Sequence, residues 1–245
     1  MSIKDILVHV DTSPASDRRV QIAVDLALRF EARLTGIGLD NTVAEDSFRA
    51  LLRQAELAGE WRSGTDLPET FVSRQAGAAD LVIVGQYDPD APPPDAMASP
   101  EDVILACGGP VLVVPHTGRF EQIGGIVLVA WNGSREATRA AHDALDLMTM
   151  SSRVTVLSAN PDLDENWETE EVALHLARHG VSATAEMIDN EDLSVSDLIQ
   201  SRAAAIDADL IVMGAYGRSR LREMILGGAT RNILEKMKVP VLMSH

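Results

Sequence analysis

The sequence predicts an α/β protein made of two tandem copies of one fold, each a parallel sheet with helices on both faces. Three observations carry that prediction. Short unbroken apolar runs such as Leu210 to Met213 fit strands covered on both faces rather than half-exposed ones. These runs alternate with segments of helical periodicity, a pattern that implies parallel sheets with right-handed crossovers. The chain also repeats itself: Ile6-Leu-Val-His-Val-Asp11-Thr-Ser13 aligns with Val127-Leu-Val-Ala-Trp-Asn132-Gly-Ser134, Ala79-Asp-Leu-Val-Ile-Val-Gly85 with Ala208-Asp-Leu-Ile-Val-Met-Gly214, and Gly109-Pro-Val-Leu-Val-Val-Pro115 with Val239-Pro-Val-Leu-Met. The repeat divides the chain into domains at 1–117 and 123–245, joined by the polar segment His116 to Gly124.

In the first half, Ile6 to Val10 reads as a strand and Ser13-Pro14 as a helix N-cap followed by proline. Val20, Val24, Ala27 and Phe30 then repeat at helical spacing. Strands follow at Leu34 to Leu39, Glu60 to Arg62 and Leu81 to Val84, with helices at Val43 to Leu57 and Leu67 to Gln75. The second half repeats the order with strands at Ile126 to Ala130, Val154 to Ser158, Ala183 to Ile188, Leu210 to Met213 and Val241 to Met243. Its helices are expected from Ser134 to about Met148, then at Glu168 to Arg178, Val195 to Ile206 and Ala229 to Met237.

A net charge of -16 argues against a nucleic-acid partner, because most of the surface would repel a polyanion. No apolar run is long enough to span a bilayer, and the opening MSIKDILVHVD is a strand pattern, so a soluble, cytoplasmic protein is expected. The single cysteine, Cys107, cannot form an internal disulfide and is expected to be a buried rather than a reactive thiol.

The chemistry is expected where the strand ending at Met213 empties into Gly214-Ala-Tyr-Gly217. In an open parallel sheet ligands gather beyond the carboxyl ends of strands, and a helix N-terminus there offers unpaired N–H groups to an anion. Arg218, Arg220 and Arg222 follow, then Gly227-Gly228-Ala229-Thr230, so a phosphate is the natural guest. The spacing is neither a Walker A loop nor the dinucleotide G-x-G-x-x-G.

The spacing G-x2-G-x9-G-G, on a strand reading DLIVMG, resembles the nucleotide-binding motif of the universal stress protein family, G-x2-G-x9-G-[ST]. The resemblance covers essentially the whole chain. It implies two tandem Rossmann-like domains of the adenine nucleotide alpha hydrolase-like type, each a five-stranded parallel sheet with helices on both faces. It further implies that ATP or another adenine nucleotide, with Mg2+ accompanying ATP, is held by Asn132, Met213, Gly214, Gly217, Arg218, Gly227, Gly228, Ala229 and Thr230. Asn132 stands where the family usually has an aspartate, and Gly228 where it has a hydroxyl residue. In the first half the loop reads Gly85-Gln-Tyr-Asp88 followed by Pro89, Asp90, three consecutive prolines and Asp95, which removes donors and adds the wrong charge. That half is expected to be degenerate, leaving one site in the C-terminal half. An intramolecular pseudo-dimer of the halves through Val111 to Val114 and Val241 to Met243 is expected on the same grounds, with homodimerisation left open.

Sharper motifs fail. His175-x3-His179 lacks the glutamate of H-E-x-x-H and any third ligand evident in sequence, so no metal centre is expected. Asp162-Leu-Asp164-Glu-Asn166 has Trp167 where a calcium loop needs glycine. Gly217-Arg-Ser219 lacks the second glycine of a nucleophile elbow. With no general base or nucleophile beside the loop, binding and signalling in a stress response are expected, with at most slow ATP hydrolysis. The competing reading is an interaction scaffold in which the glycine loop is a relic; a nucleotide hydrolase or transferase is weaker still. Trp131 reads either as filler at the strand end or as a stacking face for a base.

Overall fold

The structure, a computed structural model, describes residues 3–39, 42–88, 90, 96–161, 166–217 and 228–245. The chain separates into two compact units, residues 1–122 and 123–245.

In unit 1 the strands are β1 (Asp5–His9), β2 (Arg33–Leu39), β3 (Gly59–Gly64), β4 (Leu81–Gly85) and β5 (Val111–Val114). The helices between them are α1 (Ser16–Phe30), α2 (Thr42–Gln54), α3 (Pro68–Gln75) and α4 (Pro100–Ala106). The strands pair in parallel in the order β3-β2-β1-β4-β5. Unit 2 has β6 (Ile126–Ala130), β7 (Arg153–Ala159), β8 (Ala183–Ile188), β9 (Leu210–Gly214) and β10 (Val241–Ser244). Its described helices are α5 (Arg135–Asp143), α6 (Leu145–Met148), α7 (Asn166–Arg178), α8 (Val195–Ala205) and α9 (Ala229–Lys236). The order is β8-β7-β6-β9-β10, again parallel.

Burial follows strand position. Every residue of β4 is buried and β9 is buried up to Gly214, whereas β3 and β8, at the edge of each unit's order, are only half covered, with their exposed residues interspersed. Central parallel strands carry helices on both faces and so must be apolar throughout. The repeated Ala-Asp pair has a structural cause. Asp80 accepts the backbone N–H groups of Lys4 and Asp5 at 2.7 and 2.9 Å, and Asp209 accepts those of Gly124, Gly125 and Ile126 at 2.8 to 3.2 Å. Each carboxylate pins the entry of the neighbouring first strand to the strand that follows it, so donors at a strand start are not left unpaired.

Two expectations are corrected. Helix α1 starts at Ser16, not at an N-cap on Ser13, because Asp11 Oδ1 takes the Ser13 N–H at 2.7 Å and folds residues 11–13 into a turn. The helix expected from Ser134 to Met148 is interrupted at Ala144, whose φ of -88° and ψ of 0° tighten the chain between α5 and α6. The Ser134 cap does form, its Oγ accepting from Ala137 N at 3.1 Å. Cys107 closes α4, only half-buried, and its Sγ donates to Gly109 O at 3.3 Å.

Candidate functional site

In unit 2 the chain lays β7 and β8 on one side of β6, then crosses to place β9 and β10 on the other. Strands β6 and β9 are therefore neighbours at a topological switch point, in register to their carboxyl ends, where Ala130 lies opposite Met213. Beyond those ends a crevice opens, lined by residues of both strands.

The crevice holds a cavity of about 290 Å³, at the lower end of the range for small-molecule sites. One wall is apolar: Leu157 and Ala159 from β7, Val195 and Ile199 from α8, and Met213 from β9. The rest of the lining is polar side chain or glycine backbone, from Asn132, Ser134, Gly214, Gly217 and Thr230, with Ala229 at the first turn of α9. Trp131 completes the lining; it is half-buried, and its indole N–H is enclosed without a partner among the described residues.

Of the residues singled out from sequence, Asn132, Met213, Gly214, Gly217, Ala229 and Thr230 thus share one cavity. Gly228 is the residue immediately before α9, with φ -54° and ψ 146°. Arg218, Gly227, Arg220 and Arg222 lie outside the described residues, as do Ser219 and the 162–165 stretch of the rejected calcium loop.

The reasons for these residue types differ from place to place. A Cβ on Gly214 would fall on the α5 backbone, 2.6 Å from Glu136 C and closer still to Ala137 N, so glycine is required there by helix against strand. At Gly217 the nearest atom to such a Cβ is Glu136 Oε2, at 3.1 Å. The left-handed residue of the turn is Tyr216, at φ 54°, and its N–H donates to Thr230 Oγ1 at 3.2 Å, tying the loop after β9 to the start of α9. Asn132 Oδ1 accepts the Ser134 N–H at 3.2 Å, the same turn that Asp11 makes in unit 1, so it is the amide end of Asn132 that remains for a ligand.

Sequence reasoning missed Glu136, buried at the first turn of α5 and paired with Arg135 at 3.1 Å. An acid in a first helical turn is common, and no spacing announces that its carboxylate backs onto a glycine loop. The apolar wall was missed too, because Leu157 and Ile199 read as ordinary core positions of a strand and a helix.

Unit 1 fills the equivalent crevice with its own side chains. Arg19, fully buried, donates from Nε to His9 O at 2.6 Å and from Nη2 to Asp11 Oδ2 at 2.7 Å. Its Nη1 lies where a Cβ on Gly85 would stand. The aspartate of this half is therefore committed to an internal ion pair. His9 is buried beside it, Nδ1 at 3.6 Å from Asp11 Oδ2, and burial together with the Arg19 charge outweighs Asp11 and lowers its pKa to about 4. Burial would raise the Asp11 pKa, but Arg19, His9 and the Ser13 hydrogen bonds together outweigh that penalty and leave it below the usual value. Among the described residues no three His, Cys, Asp or Glu side chains converge as a ready-made metal centre, and no helix is long and apolar enough to cross a membrane.

A parallel sheet with a crevice at its switch point, lined by apolar side chains and by glycine backbone, defines a Rossmann-like domain. The sequence model of the universal stress protein family matches residues 125–245, which is unit 2 from its first strand onward. A curated relative, universal stress protein Slr1230 of Synechocystis, is 29% identical over 174 residues, covering 68% of this chain; the chain spans 58% of that relative's length. Over nearly the whole chain, the fold matches a universal stress protein from Archaeoglobus fulgidus with a TM-score of 0.77, at 16% identity and with 98% and 96% of the two chains covered. A functionally unknown protein from Pseudomonas aeruginosa matches with a TM-score of 0.62, at 20% identity over 99% and 92%. Unit 2 matches the universal stress protein family in sequence, and the whole chain has the tandem fold of a universal stress protein.

Proposed function

We propose that this protein binds one adenine nucleotide per chain, in the unit 2 crevice, and acts in stress signalling as a reversible nucleotide sensor. The observation that carries this reading is the common cavity of Asn132, Met213, Gly214, Gly217, Ala229 and Thr230, lined both by apolar side chains and by the first turn of α9. The apolar lining suits a flat base, Asn132 and the unpartnered Trp131 N–H supply polar contacts to base or ribose, and the N–H groups of the first turn of α9 suit a phosphate. Arg218 and Gly227 complete this proposed set, and Mg2+ would accompany ATP on the phosphates. Unit 1 does not compete, because Arg19, Asp11 and His9 occupy the corresponding space.

The second reading, a scaffold whose glycine loop is a relic, is favoured by Glu136, an acid set against Gly217 where a phosphate-binding loop would gain from a cation. Calorimetric titration of the tag-free chain with ATP, ADP and AMP, with and without Mg2+, separates the two. One equivalent of at least one nucleotide supports the sensor. Two equivalents would contradict a single site, and no binding of any of the three would leave the scaffold.

A further inference from the structure

A carboxylate stands one layer behind the lining of the unit 2 crevice. Glu136, in the first turn of α5, is 5% exposed, and its Oε2 lies 3.1 Å from where a Cβ on Gly217 would stand. Ser134 Oγ is 3.6 Å from the same point, and Gly217 and Ser134 both line the cavity. Because residue 217 is a glycine, no side chain separates the acid from the loop. We infer that Glu136 determines which nucleotide the crevice takes: a nucleoside monophosphate in preference to the triphosphate. This inference rests on the nucleotide reading above and adds to it the class of ligand.

The ion-pair partner of Glu136 does not cancel its field inside the crevice. Arg135 Nη2 reaches Oε1 at 3.1 Å, but the Arg135 side chain is 79% exposed against 7% for Glu136, so water screens the guanidinium far more than the carboxylate. Asn132, the polar side chain in the lining whose amide end remains for a ligand, brings no charge of its own.

What the crevice offers a phosphate is the start of one helix. Helix α9 has no side-chain cap, and Ala229 and Thr230 of its first turn are in the lining, so its first N–H groups suit a single phosphate group. Every further phosphate adds negative charge to a poorly solvated space that already faces a carboxylate, and like charges there repel more than in water. ATP carries about two more negative charges than AMP at neutral pH. At about threefold or more for each charge, the discrimination reaches at least about tenfold.

The test is a calorimetric titration of the full, tag-free chain with adenosine, AMP and ATP, first in EDTA and then with Mg2+. In EDTA, AMP should bind more tightly than adenosine, and at least about tenfold more tightly than ATP. Glu136→Gln, checked for a wild-type circular dichroism spectrum, should abolish most of the preference for AMP over ATP, whereas Glu136→Asp, which keeps the charge, should retain it. A merely structural role would weaken all three ligands together and leave their ratios alone. The wild-type ratios need no variant, so they decide the matter even where Glu136→Gln does not fold. ATP or adenosine binding as tightly as AMP in EDTA would overturn the inference, as would a preference unchanged in Glu136→Gln. A gain of ATP over AMP in Mg2+ that disappears in Glu136→Gln would make the acid a metal anchor and overturn it as well. Binding of none of the three would instead sink the nucleotide reading itself, and this inference with it.

Discussion

The buried trio of unit 1 makes the first half of this protein sensitive to acid. Arg19 and Asp11 are paired at 2.7 Å with side chains at 1% and 0% exposure, and removing either partner would strand a charge, at a cost of about 3–5 kcal/mol. His9 sets the pH dependence. Its folded pKa of about 4 lies below the unfolded value of 6.5, so below pH 6.5 the unfolded chain takes up a proton that the folded chain refuses. Its contribution is fully present above pH 6.5 and is lost between about 6.5 and 4, roughly 2 kcal/mol of it by pH 5. Asp11, also depressed, adds a loss of the same sign at lower pH, as its carboxylate is protonated. Urea unfolding of unit 1 should therefore show a midpoint that falls from pH 7 to pH 5, and His9→Gln should flatten that fall; an equal slope in the variant would assign the effect elsewhere. Sequence could not reveal this trio. It only aligns Asp11 with Asn132 of the second half, and only the fold turns Arg19 inward from the helix that follows to pair with it.

At the scale of elements, the contact between β9 and α5 is the tightest point of the candidate site. Gly214→Ala would drive a methyl group into the α5 backbone at Glu136 and Ala137, neither of which can rotate away. Overpacking of this kind costs about 1–3 kcal/mol, and the relief available is a shift of α5 that carries Ser134 and the Asn132 turn with it. The variant should unfold at lower urea, measured by circular dichroism, and should lose nucleotide affinity beyond what its stability loss explains; an unchanged urea midpoint would mean that α5 yields freely. The strands were legible because an apolar run stopped by glycine, as at Leu210 to Gly214, has few other readings, and the repeat supplied a second reading of each. Helix starts were less legible, since the Asx turn at Asp11 and the interruption at Ala144 depend on bonds that periodicity does not encode.

Across the whole molecule, the same fold has been put to two uses, and the difference should appear in the order in which the units open. Both sheets share one strand order and one carboxylate clamp, on Asp80 and on Asp209. They differ in what fills the switch point: Arg19, Asp11 and His9 in unit 1, against a cavity lined by Ala130, Trp131 and Asn132 in unit 2. Unit 1 therefore owes part of its stability at neutral pH to buried ionisable groups, and unit 2 gives part of its own up to an open crevice. Acidification should reverse any advantage of unit 1, because His9 is buried, whereas the lowered pKa of His175 sits at the surface, where solvent screens it to little effect. Hydrogen exchange followed by mass spectrometry at pH 7 and pH 5, corrected for intrinsic rates, reads this directly. Amides of β1 and β4 should lose protection at pH 5 while those of β6 and β9 keep theirs, and His9→Gln should restore β1 and β4. Equal loss in both units would mean that they open as one block and that the acid response belongs to the whole chain, and earlier loss in β6 and β9 would refute the assignment of acid sensitivity to unit 1.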